Sequence, residues 1–138
     1  MKIFDCTTFY NEKLRMEAVF NLLDQYVHKL IVIESVYSHS GNKKKLNFDI
    51  NDYPDFKNKI EYIVIDHEPE DLIKDKHLLK QSIYKRFNSV KRIEQSYNHM
   101  HLGIKDASEE DLIMISDNDE IPNLDSIEFK NSKHNFYI

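Results

Sequence analysis

The chain has 138 residues, 41% hydrophobic and 31% charged, the balance of a globular domain, and this length is one domain able to bury about two-thirds of its unfolded surface. A formal net charge of -5, with Lys43-Lys44-Lys45 as the one basic run, excludes a general nucleic-acid binder, because counterion release needs Lys and Arg clustered on one face. With 2 Gly and 3 Pro there is no low-complexity segment, the single Cys6 excludes an internal disulfide, and no apolar run reaches transmembrane length.

Ile3-Phe4-Asp5-Cys6-Thr7-Thr8-Phe9 reads as a first strand, with Cys6 a small buried thiol rather than a nucleophile. Because the fold starts at once, with no signal peptide or anchor ahead of it, a soluble cytoplasmic protein is expected. From Leu14 the apolar residues recur at helical spacing, with Leu14, Ala18, Leu22 and Tyr26 on one line and Val19 and Leu23 beside it. Lys29-Leu30-Ile31-Val32-Ile33-Glu34 is a second strand ending on a carboxylate, followed by a hydroxyl-rich loop with Gly41 at its turn. Residues 43–59 are polar and carry a turn signal at Tyr53-Pro54-Asp55. Ile60-Glu61-Tyr62-Ile63-Val64-Ile65-Asp66 is a third strand with an acidic end. A long helical pattern then runs through Leu79, Ile83, Phe87, Val90, Ile93, Tyr97 and Met100 toward a break near Gly103. Leu112-Ile113-Met114-Ile115 lacks polar alternation and reads as a fourth strand, buried on both faces. A short helix over 124–129 and the start of another strand over 135–138 complete the pattern. Four strands alternating with helices predict an α/β fold with a mostly parallel, Rossmann-like sheet and flanking helices, in a single domain over 1–138.

The strongest chemical signal is at the end of that fourth strand, where Ser116-Asp117-Asn118-Asp119-Glu120-Ile121-Pro122 follows the apolar run. Parallel strands deliver their C-terminal tips to the crevice where open α/β sheets bind ligands. Asp117 and Asp119, two apart in extended chain, point the same way and repel unless a cation lies between them. An EF-hand is excluded, since Ile121 stands at a ligand position and Pro122 replaces the turn glycine. The competing reading is a solvated acidic turn that caps the next helix, with Asn123 or Asp125 as N-cap. Glu34 and Asp66 end their strands on the same rim, joined by Asn11 and Glu12 from the first strand tip. Neither a G-x-G-x-x-G nor a P-loop is present, so a bound phosphate would be held by metal rather than by a glycine cradle.

Asp5-Cys6-Thr7-Thr8-Phe9-Tyr10-Asn11-Glu12, the E-S-x-Y-x-x-S-G pattern of residues 34–41, Arg92 with Gln95, and the D-x-D-E-I-P block of residues 117–122 together resemble glycosyltransferase family 17. Its animal members are β-1,4-mannosyl-glycoprotein N-acetylglucosaminyltransferases. The resemblance implies a GT-A-like fold and inverting transfer of a sugar, N-acetylglucosamine, from a UDP-sugar donor (UDP-N-acetylglucosamine) to a glycan acceptor. It implies Mn²⁺ or Mg²⁺ held by Asp117 and Asp119, and donor contacts from Asn11, Glu12, Glu34, Arg92, Gln95 and Asp117. Glu120 is the nearest candidate for the general base such a transfer needs. His134 is a further metal-ligand candidate, while His99 and His101, two apart on a helix, face nearly opposite ways.

This sequence departs from the animal enzymes in having no membrane anchor and in being short after the D-x-D block, so two expectations stand: a truncated donor-binding half of a catalytic domain, or an acceptor surface supplied by a partner or a second copy. An open sheet edge near residue 138 would favour a homodimer. Three functions stay open on the residues: a metal-dependent glycosyltransferase, a nucleotide-sugar and metal-binding module with little turnover, and a metal-dependent phosphohydrolase.

Overall fold

The computed structural model describes residues 1–74, 80–117 and 120–124. The β-branched runs form a four-stranded sheet of β1 (Ile3–Thr8), β2 (Lys29–Ser35), β3 (Ile60–Ile65) and β4 (Leu112–Ser116), in the spatial order β3-β2-β1-β4. Every pairing is parallel: Cys6 stands opposite Ile31 on one side and Ile115 on the other, and Val32 stands opposite Tyr62. The expected α/β class with a parallel sheet and flanking helices is therefore the observed one. The chain fills the sheet outward from β1 through β2 to β3, then crosses back to lay β4 on the other side of β1. That reversal makes the gap between the C-terminal ends of β1 and β4 the switch point of the sheet.

Helix α1 (Lys13–Leu23) covers one face of the sheet and buries Met16, Val19, Phe20 and Leu23 against Ile3, Leu30, Val32 and Met114. This corrects the expected face. Leu14 and Leu22 are 84% and 54% exposed, and the helix ends before Tyr26, which packs at the margin of the core instead. The helix carries two apolar lines, and the one that includes the large Phe20 ring wins because it removes more apolar surface from water. The polar stretch between β2 and β3 finishes the same face with two single-turn helices, Ile50–Asp52 and Pro54–Phe56. Its Phe48 ring stacks on Tyr53 with centroids 5.3 Å apart and meets Phe9 edge-on at 5.3 Å, so an aromatic plug stands where an α-helical crossover is usual.

The opposite face is covered by α2 (Gln81–His99) and the turn Met100–Leu102, where Met100 and Tyr97 pack on Phe4, Cys6, Ile31, Ile33 and Ile65. Only the C-terminal part of the expected apolar line is used: Ile83, Phe87 and Val90 are exposed, and Leu79 lies outside the described residues. The reading of β4 as buried on both faces also needs correction, since Ile115 is 57% exposed and, among the described residues, the strand is an edge. β3 is the other edge, with Glu61 and Val64 exposed. Of the helix expected over 124–129 only Leu124 is described, and it is buried in the α1-side core. The strand expected over 135–138 and His134 lie outside the described residues.

If the Phe20 line holds the core, Phe20→Ala lowers the unfolding free energy by about 3–5 kcal/mol, whereas Leu14→Ala changes it by less than about 0.5 kcal/mol. Urea unfolding of the two variants reads the difference, and equal losses would put the core on the wrong face of α1.

Candidate functional site

At the switch point a carboxylate is buried in the central strand. Asp5 lies on β1 between apolar neighbours, is 1% exposed, and accepts a hydrogen bond of 3.0 Å from the Ser116 hydroxyl at the end of β4. Burial pushes the Asp5 carboxyl up to about 6, against the lowering effects of the Ser116 hydroxyl and the Arg15 charge. Arg15 comes from the first turn of α1. Its Nη2 donates to the carbonyl of Asp117 at 3.2 Å and to the carbonyl of Glu120. The Asp117 carbonyl also accepts from the Glu120 amide at 3.1 Å. The Asp117 amide faces the Glu120 carboxylate, at 3.4 Å from Oε2.

α2 reaches Asp117 from the other face of the sheet, through the Tyr97 hydroxyl, which donates to Asp117 Oδ1. That bond, burial and the charges of Asp117 and Glu120 push the Tyr97 hydroxyl up to about 12, so it stays protonated and remains a donor. Asp117 and Glu120 thus stand together at the end of β4, both exposed, while Asn118 and Asp119 lie outside the described residues. Among the described residues no group of three or more His, Cys, Asp or Glu side chains is gathered as a protein cage for a metal. An exposed pair of hard carboxylate oxygens suits a cation of the Mg²⁺ type, which takes one or two carboxylates from the protein and fills its remaining positions with water and substrate phosphates. The donor chemistry present fits that kind of ion.

Glu34 occupies a different setting. It is 1% exposed, and its oxygens accept from the amides of Asn47 at 2.9 Å and Phe48 at 3.0 Å, from the Tyr62 hydroxyl at 2.8 Å, and from the Lys44 ammonium. Burial followed by the hydrogen bond to Glu34 raises the Tyr62 hydroxyl well above the usual phenol range. This carboxylate straps residues 44–48 onto the rim, and Asn47 extends the strap by donating to the Tyr10 carbonyl at 2.7 Å. Lys44 Nζ lies 5.2 Å from the centre of the Tyr10 ring.

Asn11 and Glu12 form the link from β1 to α1. The Glu12 carboxylate accepts from the amides of Tyr10 and Asn11, each at 2.9 Å, and its carbonyl starts the helix by accepting from Met16. Arg92 is committed to a loop: Nε and Nη2 donate to Glu68 Oε1 at 2.8 and 2.6 Å, and Nη1 to the His39 carbonyl at 3.2 Å. The loop needs Gly41 for two reasons, a φ of +88° and a Cβ position only 2.5 Å from Arg92 Nη2. Gln95, half-buried on α2, offers its carbonyl to the His99 ring at 2.8 Å. Asp66, exposed beyond β3, pairs with His67 at 3.1 Å. The structure therefore brings Asp117 and Glu120 together at the end of β4, and binds Glu34 and Arg92 into two separate clusters elsewhere along the rim.

Sequence reasoning gave no site role to Arg15, Tyr97 or Asp5, and weighed the lysines of residues 43–45 as a phosphate attractor or a solvated loop, whereas Lys44 pairs with Glu34. A carboxylate inside the apolar run from Ile3 to Cys6 is a usable signal for a buried group. Arg15 and Tyr97 are separated from Asp117 by 102 and 20 residues, so no local pattern connects them. Cys6 is buried, with its thiol pushed up to about 12 by burial and the Asp5 charge, and is inert.

A parallel α/β sheet with a polar, acidic turn at its switch point is the frame of a ligand-handling enzyme domain. The family model of glycosyltransferase family 17 matches residues 1–136, and the chain belongs to that family. Glycosyl transfer, with a sugar donor and an acceptor, is the chemistry this membership carries. No curated protein and no solved structure gives a match. Among the described residues no helix is long and apolar enough to cross a membrane.

Asp5 makes a pH-dependent contribution whose sign is set by its raised value. A carboxyl near 6 in the folded chain, against 3.8 for a solvated aspartate, binds its proton more tightly when folded. The cost of burying the charge is therefore full above pH 6 and is relieved as pH falls toward 3.8. Asp5→Asn should be more stable than the parent at pH 8 by up to about 3 kcal/mol, with the gap closing as pH drops through 6 and vanishing near 4. Denaturant titrations of both proteins across that range test it; a constant gap would mean that Asp5 is already neutral or is not desolvated.

Proposed function

We propose that the chain is a metal-dependent glycosyltransferase that moves N-acetylglucosamine from a UDP-sugar to a glycan acceptor, with inversion at the anomeric carbon. The observation that carries this reading is the pair of exposed carboxylates, Asp117 and Glu120, at the end of β4, flanking the switch point in a member of glycosyltransferase family 17. Asp117 and Asp119 would hold Mn²⁺ or Mg²⁺. The bound ion supplies Lewis-acid neutralisation of the departing nucleotide diphosphate.

The chain's own residues do the rest. Tyr97 holds the Asp117 carboxylate in one orientation through its hydroxyl. Asn11 and Glu12 at the tip of β1, with Gln95 on α2, would supply donor contacts, while Arg92 holds the loop at Gly41 through Glu68 and the His39 carbonyl and would reach the donor only by leaving them. Glu34 serves the donor side by keeping the 44–48 strap on the rim. In the transfer the bond from the anomeric carbon to the β-phosphate oxygen breaks, its electron pair leaving with UDP. The acceptor oxygen forms the new bond to that carbon, and its proton passes to the Glu120 carboxylate.

Calorimetry with UDP-N-acetylglucosamine and Mn²⁺, alongside a UDP-release assay, tests the reading. Donor binding is expected to require the metal, and Asp119→Ala or Asp117→Ala to weaken it by about 100-fold or more, the upper end of what even outer-shell changes cost. Unchanged binding in both variants removes the acidic pair from the site. Metal-dependent binding with no UDP release in the presence of acceptor glycans would leave a binding module, and phosphate release from small esters with indifference to UDP would leave a phosphohydrolase.

A further inference from the structure

We propose that the N-terminal half of α2 docks on an anionic lipid membrane, with Ile83, Phe87 and Val90 entering the headgroup layer and Lys80, Lys85 and Arg86 meeting lipid phosphates. The three apolar residues stand at i, i+4 and i+7, which puts them on one line of the helix, and all three are exposed. They are contiguous, lining one surface hollow with Ser82 and Arg86. Asn88 keeps the helix from rolling this line inward, because its buried amide is paired with the Ile73 backbone on another side of the helix. An apolar stripe held outward in this way marks an interaction surface rather than spare core.

Charge decides what covers it. Residues 80–91 hold four cations, Lys80, Lys85, Arg86 and Lys91, and no carboxylate; the first one in the helix is Glu94, where the apolar line ends. Arg86 stands at i+3 from Ile83 and Lys91 at i+4 from Phe87, so both border the line, and the Lys91 ammonium lies 5.7 Å from the centre of the Phe87 ring. Lys91 is neutralised by Asp71 at 2.8 Å and Glu94 at 3.0 Å, whereas Lys80, Lys85 and Arg86 are exposed and form no ion pair with another described residue. A second copy of the chain is a poor occupant, since a two-fold contact sets each patch against its own like and turns these cations on one another. An anionic bilayer supplies both halves of the match, phosphates for the cations and the acyl boundary for the apolar line. The chain's net charge of -5 does not oppose this, because charges farther from the lipid than a Debye length, about 8 Å at physiological salt, are screened. Tyr97, which reaches Asp117, lies about 10 Å beyond Val90 along the helix axis, so the docking surface and the acidic rim use different parts of α2.

Co-sedimentation of the full chain with vesicles of equal parts phosphatidylserine and phosphatidylcholine, beside vesicles of phosphatidylcholine alone, tests the proposal. The parent is expected to bind the first and not the second, and added salt to release it. The double variant Lys85→Gln with Arg86→Gln should bind about 25-fold more weakly, at about fivefold for each cation near the surface, and Phe87→Ser about tenfold more weakly. These positions are exposed, so the circular dichroism of both variants should match the parent's. The chain has no tryptophan, so the emission of Phe87→Trp reports this one point and should shift to the blue on phosphatidylserine vesicles. Absence of binding to those vesicles overturns the proposal, as does binding that either variant leaves unweakened or that leaves the tryptophan emission in place. A dimer in light scattering that Phe87→Ser splits, without vesicle binding, would also overturn it and give the surface to a second copy.

Discussion

The site depends on β1 being paired in parallel on both sides. With β2 along one edge and β4 along the other, all of its backbone groups are engaged and both of its faces are covered, so its direction and height in the sheet are fixed. Because the chain returns to the far side of β1 only after β3, the tips of β1 and β4 are neighbours in space that follow different connections. Those connections diverge, and the gap they leave is where polar groups gather. Asp5 is the group that registers this most directly. It lies deep enough to be desolvated yet close enough to the rim for Ser116 and Arg15 to offset part of that cost.

Two buried carboxylates on adjacent strands take different solutions to the same problem. Glu34 is met by four donors, one of them an ammonium, and becomes a tether that organises the irregular chain after β2. Asp5 has a hydroxyl and a nearby guanidinium, which offset part of the cost of its burial, and the desolvation left over makes it hold its proton more tightly. A fully satisfied buried ion fixes structure, whereas a partly satisfied one stays responsive to its surroundings.

All four strands were legible because each is a short, largely apolar run rich in branched or aromatic side chains, and that composition is local information. The acidic turn was legible as well, since carboxylates at a strand end are a matter of sequence order. The face of α1 was not, because Leu14, Ala18 and Leu22 make as regular a line as Met16, Val19, Phe20 and Leu23, and only the space above the sheet decides between them. Residues 43–59 were opaque for a related reason. Their structure comes from Phe48 and Tyr53 finding Phe9 and Phe20, and from amides finding Glu34, contacts made across the fold. α2 misled in the opposite sense. Its pattern is apolar over its whole length, but the sheet is wide enough to use only the end near Tyr97 and Met100. Further back, Asn88 is buried and pairs its amide with the backbone of Ile73, donating at 3.0 Å and accepting at 2.8 Å.

Asp117 and Glu120 are held by two helices that lie on opposite faces of the sheet: Arg15, from the face of Phe20, donates to both of their carbonyls, and Tyr97, from the face of Met100, donates to the Asp117 carboxylate. A shift of either helix relative to the sheet would move one contact and not the other. The two separate cores, one under each helix, thus act on the site through two side chains, and changes deep in either core reach the carboxylates along those paths without touching them.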